Sequence, residues 1–126
     1  MGKLVWVLLL FAVTCPRADA RTGTASWYSV ESCKREGTSG IMANGHALKD
    51  DALTAASWDY PFGSWLAVST VTAQGLQRTV RVQVSDRGPS KRLYKSGRII
   101  DLSKAAFLAL APLPQGVIPV TVTVLR

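Results

Sequence analysis

The residues best suited to chemistry lie in two short segments, Val84–Pro89 and Gly97–Ser103. Asp86 stands at the end of an alternating strand pattern, and Gly88 and Pro89 behind it favour a turn. A side chain at such a junction is held by the sheet yet faces a groove, where reactive groups are often found. A carboxyl group in that position can act as a general acid or base. Asp86 is therefore the first candidate for a catalytic group.

Other candidate groups carry weaker signals. Asp101 lies just before a predicted helix start, which favours a structural role for it. His46 is the single histidine of the chain, and a metal site needs two or more ligands, which no His or Cys spacing supplies here. Cys33 lies in Glu31–Glu36, a polar segment predicted to be a loop, and has no evident partner for nucleophilic catalysis. The sequence therefore predicts neither a metal nor another cofactor.

The first twenty residues have the pattern of a signal peptide. Lys3 supplies a positive start, Leu4–Val13 is an unbroken apolar run, and Ala18–Ala20 fits the small-x-small cleavage pattern. The apolar run is far shorter than the ~20 residues that a membrane helix needs. We therefore predict a signal peptide at 1–20, an exported protein and one folded domain at 21–126. A lipid anchor on Cys15 is the alternative, and the only route by which a membrane contact is expected.

The charge of the chain indicates its partners. Without Lys3, Arg17 and Asp19 it carries thirteen basic and seven acidic side chains, a net charge of +6. A basic exported protein meets anionic envelope polymers, lipids or nucleic acid. Ordinary solubilising charge is the alternative. Nucleic acid is not expected, because the pattern contains no recognition helix.

Alternating, β-branched and short apolar runs predict five strands, and a capped run of helix formers predicts one clear helix. The strands are Thr24–Ser29, Trp65–Thr72, Thr79–Ser85, Arg98–Leu102 and Val117–Leu125. Ser103 can cap a helix over Lys104–Leu110. A shorter turn or helix is expected around Ala52–Ser57, and turns are expected at Tyr60–Gly63 and Gln74–Leu76. Five or six short strands predict a small, closed, mainly β barrel, although the pattern alone leaves an open sheet or an SH3-like barrel open.

Several short motifs follow one another over nearly all of residues 21–126. In chain order they are Gly23–Tyr28, Met42–Gly45, Leu53–Ala56, Pro61–Gly63, Ser85–Pro89 and Arg98–Ser103, followed by the final alternating strand. In this order and spacing the set resembles the RlpA-like double-psi β-barrel family of bacterial cell-wall proteins. The resemblance implies an all-β fold, a six-stranded barrel with interlocked strand–loop crossings and one or two short helices.

The resemblance also implies a chemistry. Members of the family include lytic transglycosylases, which cleave peptidoglycan between its two sugars and leave 1,6-anhydro ends without consuming water. Of three family positions implicated in activity, the aspartate is present as Asp86, the glutamate is replaced by His46, and the histidine is replaced by Ser57. These three residues form the predicted catalytic set. Asp86 acts as acid and then base, and His46 acts as its altered partner, since a histidine can exchange protons near neutral pH.

The predicted substrate-binding residues are Tyr28, Asn44, Arg87 and Arg98. Tyr28 is expected to face the groove, where its ring can stack on a sugar, and Trp65 is expected in the core. The two arginines belong to a basic segment that either holds an acidic polymer or is simply solvated. The resemblance implies a monomer that acts on peptidoglycan glycan strands, with an anionic wall polymer as a further ligand. Its expected location is the periplasm, the outer membrane or the outside of the cell.

Two interpretations without catalysis stay open. One is a polysaccharide-binding module similar to expansins, which share this barrel and loosen walls without cutting them. The other is an inhibitor or toxin-like domain whose basic loop binds a partner protein. The enzyme interpretation predicts that His46 and Asp86 face one cleft, within about 10 Å of each other, if they flank a glycosidic bond.

Overall fold

The chain folds into a closed barrel of strands in which apolar side chains alternate with polar ones. The computed structural model describes residues 20–125, so all of the predicted signal peptide except Ala20, and with it Cys15, lies outside the described residues. The strands are β1 (Arg21–Tyr28), β2 (Thr54–Ala56), β3 (Trp65–Val71), β4 (Gln77–Asp86), β5 (Arg98–Ser103) and β6 (Ile118–Leu125). The helices are α1 (Val30–Arg35), α2 (Lys91–Lys95) and α3 (Lys104–Leu108), and a 3-10 turn covers Leu113–Gln115.

The strands are not paired in the order of the sequence. Around the closed barrel they follow β1-β5-β2-β4-β3-β6. The pairs β1–β5 and β2–β4 are parallel, and the four other pairs are antiparallel. Parallel pairing requires crossover connections between distant parts of the chain. The predicted mainly β, six-stranded barrel is confirmed.

The core lies inside the barrel and under α3. On β4, Val80, Val82 and Val84 alternate with more exposed residues and are all at least nine-tenths buried. Ser103 caps α3, accepting a hydrogen bond from the N–H of Ala106, and the helix brings Phe107 fully inside. The predicted strands over β3, β4, β5 and β6 and the capped helix are thus confirmed, with α3 two residues shorter than expected.

Two short elements differ from the sequence predictions. The polar segment predicted to be a loop forms α1, because Ser29 and Ser32 build a reciprocal capping box: each hydroxyl accepts a hydrogen bond from the other residue's N–H. The segment predicted as a turn or helix near Ala52–Ser57 contains β2, which pairs with β4 and β5. A strand of three residues is too short to show a period, so its pairing decides its conformation.

Trp65 does not lie in the core, and that prediction was wrong. It is 44% exposed at the start of β3. The strand buries Leu66 and Val68, so its period of two turns Trp65 outward. The ring centroid lies 5.9 Å from the guanidinium carbon of Arg81.

Candidate active site

The strand register places two carboxyl groups on either side of one small residue. Ala56 on β2 pairs with Asp86 on β4 and with Asp101 on β5. Neighbouring strands lie about 4.8 Å apart, so the two aspartate backbones are separated by roughly 10 Å. Ala56 has only a methyl side chain, which leaves the space between the aspartates open. All three residues line one cavity of about 310 Å³.

Three donors converge on the carboxylate of Asp86. The hydroxyl of Tyr28 donates to Oδ2 at 2.9 Å, and the backbone N–H groups of Ala43 and Arg87 donate to Oδ1 at 2.8 and 2.9 Å. The loop that carries Ala43 is tied to β4 by the N–H of Asn44, which donates to the carbonyl of Ser85 at 3.2 Å. An ionised carboxylate only accepts hydrogen bonds, and this arrangement suits it. Asp86 is therefore a fixed acceptor in the cavity.

Asp101 has a different environment. Its carboxyl group is half-buried and accepts a hydrogen bond from the hydroxyl of Ser26. Burial raises the pKa of Asp101, and the negative charges of Glu36 and Asp86 act in the same direction. The hydrogen bond from Ser26 and the charge of Arg98 oppose this shift without cancelling it. Asp101 is therefore the carboxyl group better suited to carry a proton into the cavity.

One strand positions both carboxyl groups. Ser26 and Tyr28 are two residues apart on β1, so their hydroxyls project from the same face, and each contacts one aspartate. Burial raises the pKa of Tyr28, and the charge of Asp86 and the hydrogen bond to it raise it further. The phenol therefore keeps its proton and serves as a donor. Tyr28 itself lines the cavity, and its predicted contact with substrate stays a prediction.

Helix α1 and the loop after it complete the cavity wall. Cys33 and Glu36 line the cavity from this side, together with Ile41 and Met42. The sequence predicted a polar loop here, with no site role for Cys33, and Glu36 was not a candidate. The signal that could have found them is the Ser29–Ser32 spacing, which is typical of a helix start.

His46 lies in an exposed turn and is not among the residues that line the cavity. Its N–H donates to the side-chain oxygen of Asn44 at 3.0 Å, and its carbonyl accepts from the N–H of Met42 at 2.8 Å. The side chain of Asn44 thus closes this turn, which is a structural use of a residue predicted to bind substrate. The predicted catalytic role of His46 stays a prediction that no contact in the described residues supports.

Ser57 is fully buried and also lies outside the cavity lining. Its hydroxyl accepts a hydrogen bond from the N–H of Asp59 at 3.1 Å, and its own N–H donates to the backbone carbonyl of Asp86 at 3.0 Å. The Ser57 hydroxyl thus holds a turn in this structure. The predicted catalytic role of Ser57 stays a prediction that none of these contacts supports.

Arg87 and Arg98, the two arginines predicted to bind substrate, make different contacts. The guanidinium of Arg87 donates at 2.7 Å to the carbonyls of Ser57 and Tyr60 and lies 4.0 Å from the ring centroid of Phe62. Arg87 lines the cavity, yet its charged end braces the segment beside it. Arg98 is half-buried and acts electrostatically on Asp101 from outside the cavity lining.

No metal site and no membrane helix occur in the described part of the chain. Among residues 20–125, no three His, Cys, Asp or Glu side chains are grouped closely enough to hold a metal ion. Within the same range, no helix has both the length and the apolar character to cross a membrane.

Known proteins have similar sequences and similar folds. The model of the lytic transglycolase family matches residues 20–122. The endolytic peptidoglycan transglycosylase RlpA of Campylobacter jejuni is 36% identical over 107 residues, which cover 85% of this chain and 34% of that relative. The chain thus spans about a third of the length of this relative.

Two solved structures have a similar fold. The Streptomyces papain inhibitor has a TM-score of 0.60 and 29% identity over 88% of this chain and 98% of its own. A mutant expansin of Clavibacter michiganensis in complex with cellohexaose has a TM-score of 0.58 and 26% identity over 85% of this chain and 50% of its own. With its six-stranded barrel and its family match over most of its length, this chain belongs to the lytic transglycolase family of double-psi β-barrel domains.

Proposed function

We propose that this chain cleaves the glycan strands of peptidoglycan as a lytic transglycosylase and leaves 1,6-anhydro ends. The observation that carries the proposal is the pair of carboxyl groups on either side of Ala56, which line one cavity in two different environments. One is an acceptor with three donors, and the other has a raised pKa. Acid–base cleavage of a glycosidic bond needs two carboxyl groups in different environments, one that gives a proton and one that accepts a proton. The family and the name of the Campylobacter relative support the same activity.

In the proposed reaction, Asp101 gives its proton to the glycosidic oxygen as the bond from that oxygen to C1 breaks. Asp86 takes the proton of the 6-hydroxyl of the same sugar, and that oxygen forms the new bond to C1. The negative charge of Asp86 also stabilises the oxocarbenium-like transition state. Proton exchange with solvent then restores both groups. Asp101 thus replaces Asp86 as the proton donor predicted from the sequence, because burial raises the pKa of Asp101. Asp86 accepts three hydrogen bonds, which leaves about one acceptor site for the 6-hydroxyl.

Mass analysis of products tests this function directly. Purified protein is incubated with glycan strands from which the stem peptides have been removed. We expect fragments with anhydro ends, because the 6-hydroxyl rather than water attacks C1. Fragments that are heavier by one water would identify a hydrolase instead, and unchanged strands would contradict catalysis altogether.

Removing the Tyr28 hydroxyl should weaken the reaction without unfolding the barrel. The Tyr28→Phe substitution deletes one donor to Asp86, and a hydrogen bond to a charged group contributes about 1.5–3 kcal/mol. We expect kcat/KM for anhydro-product formation to fall at least about tenfold, since about 1.4 kcal/mol corresponds to a factor of ten. Thermal unfolding of the same variant provides the control for folding. An unchanged kcat/KM would show that Asp86 does not need this donor.

A His46→Ala substitution tests the role that the sequence predicted for this residue. Because His46 is exposed and outside the cavity lining, we expect product formation to fall less than about threefold, far from the roughly 10²–10⁴-fold loss typical of a missing general acid or base. The loss is measured as initial rate across a pH series. A loss of more than a hundredfold would restore His46 to the catalytic set.

The similar solved structures support two functions without catalysis. The expansin likeness supports an expansin-like polysaccharide-binding module. The papain inhibitor likeness supports a protease inhibitor, and in its favour this chain covers 98% of that protein. A binding module would co-sediment with glycan and yield no anhydro ends, before and after an Asp86→Asn substitution. An inhibitor would slow papain in a peptide-cleavage assay and need not bind glycan.

The proposed substrate lies outside the cytoplasm, so we also propose export. Cleavage after Ala20 would leave Arg21 as the first residue. Mass spectrometry of the protein recovered after expression with a native leader measures this terminus. A lipid-modified cysteine at the N-terminus would instead support the anchor on Cys15 and a location at the outer membrane. Gel filtration tests the expected monomer.

A further inference from the structure

Trp58 presents a fixed aromatic ring to the cavity of the proposed active site. The residue is 38% exposed and is one of the cavity-lining residues. Its indole N–H donates to the carbonyl of Pro89 at 2.6 Å, which fastens one edge of the ring to the turn that follows Asp86. An exposed indole face can pack on an apolar face of a ligand, and a ring already fastened loses little freedom on binding.

The segment that carries Trp58 is also fastened on its other side. The next residue, Asp59, accepts a hydrogen bond from the hydroxyl of Tyr94 at 2.5 Å and pairs with Arg21 at 2.7 Å. The carbonyl of Ser57 accepts from Arg87 at 2.7 Å. Contacts with β1, with α2 and with the turn after β4 thus hold the segment and its ring in place before any ligand arrives.

Lys91 adds a positive charge beside this ring. Its ammonium lies 4.4 Å from the ring centroid of Trp58, and the residue is exposed at the start of α2. The single ion pair within 4.0 Å among residues 20–125 joins Arg21 and Asp59, so the Lys91 ammonium has no carboxylate partner there. An exposed cation–π contact is weak. The flexible lysine can therefore move to an incoming anion.

The charge of the cavity determines where an anionic ligand can lie. Three carboxyl groups line it: Glu36, Asp86 and Asp101. A carboxylate on the substrate would be repelled by the negative charges of Glu36 and Asp86 and attracted to a cation at the edge of the cavity. Lys91 over Trp58 is such a cation. A sugar ring offers its C–H face to an indole, so one carboxylate-bearing sugar can use both residues at once.

We propose that Trp58 and Lys91 form a subsite for a sugar that carries a carboxylate, the lactyl ether group of a peptide-free N-acetylmuramic acid residue. The indole face packs on the sugar ring, and the ammonium pairs with the carboxylate. The inference rests on the proposed function, whose cavity it extends. Lys91 and Trp58 then select the charged sugar of the strand and set which glycosidic bond reaches the two aspartates.

Binding measurements with two probes test the subsite. Peptide-free glycan strands carry the lactyl carboxylate, whereas chitohexaose has similar N-acetylated rings without it. Titration calorimetry is carried out in an Asp101→Asn background, which prevents cleavage. We expect Lys91→Met to weaken binding of the glycan strands about three- to fivefold at low salt and to change binding of chitohexaose less than twofold. Lys95→Met is the matched control on the same helix, and Lys91→Arg should preserve binding.

Trp58→Ala should weaken binding of both probes, because both have a sugar ring to pack. Trp58→Phe keeps an aromatic face and provides a second variant if the alanine variant unfolds, as its thermal melting would show. If Lys91→Met weakens binding of both probes equally, or of neither, the proposed subsite is overturned. Wild-type cleavage with an unchanged KM in Lys91→Met would reject the subsite and leave the proposed function intact. Charge-selective binding without anhydro products would support the subsite and contradict the proposed function.

Discussion

Replacing Asp101 with Asn is expected to lower the rate of anhydro-product formation by roughly 10²–10⁴-fold, the usual loss on removing a general acid. The amide has nearly the same shape as a protonated carboxyl group but has no proton to give to the glycosidic oxygen. It can still accept the hydrogen bond from Ser26. Initial rates on peptide-free strands measure the loss. Asp51→Asn, which changes an exposed carboxylate outside the cavity lining, is the matched control.

The same residue makes a prediction about pH. Burial raises the pKa of Asp101 above its usual value of about 3.9. Between the usual pKa of Asp101 in the unfolded chain and its raised pKa in the folded protein, the folded protein binds more protons than the unfolded chain. The free energy of unfolding therefore falls as pH rises through this window. Asp101→Asn removes that loss, and its melting temperature at neutral pH should equal or exceed that of the wild type. An inactive variant that is also strongly destabilised would instead favour a structural role for Asp101.

Activity should follow the protonation of Asp101 in the wild type. Because the proposed acid must be protonated, the rate should fall as pH rises through its raised pKa. This decline should be absent from whatever residual rate the Asp101→Asn variant retains. A decline that persists in that variant would assign the acid to another group.

Replacing Asp86 with Asn is expected to have an effect of similar size, a loss of roughly 10²–10⁴-fold. The amide cannot accept the proton of the 6-hydroxyl, and it removes the negative charge near the transition state. The fold should tolerate the change. The side-chain oxygen of Asn can still accept from Ala43 and Arg87, and the Tyr28 hydroxyl can turn from donor to acceptor for the new amide group.

A modest loss of stability should accompany the Asp86→Asn substitution. Hydrogen bonds to a charged group contribute about 1.5–3 kcal/mol, and neutral ones about 0.5–1.5 kcal/mol, so we expect the free energy of unfolding to fall by about 1–2 kcal/mol. Urea unfolding measures it. Retained cleavage in a folded Asp86→Asn variant would contradict the proposed mechanism. Retained glycan binding without cleavage would support it.

Together the two variants separate the enzyme from the binding module. A catalytic domain loses product formation in both and keeps its affinity for glycan through Trp58 and Lys91. A binding module forms no product even as the wild type. A protease inhibitor forms no anhydro product either, and it is recognised instead by slower cleavage of a peptide by papain.

Local patterns in the sequence were enough to predict most of the strands, one helix and one of the two carboxyl groups of the site. Val80, Val82 and Val84 alternate along β4, and Ser103 caps α3, because strand and helix periods are properties of neighbouring residues. The motif around Asp86 indicated the first carboxyl group. These conclusions depend on residues that are close together in the chain.

The tertiary structure alone decided how the site is assembled. Asp86 and Asp101 flank Ala56 only because β2 pairs in parallel with β4 and antiparallel with β5. That register joins residues far apart in the chain, and no local period records it. Closure of the barrel likewise buries Ser57, leaves His46 in an exposed turn and brings Glu36 to the cavity. Which polar side chains meet a substrate depends on long-range pairing, and the sequence carries that information only through the fold.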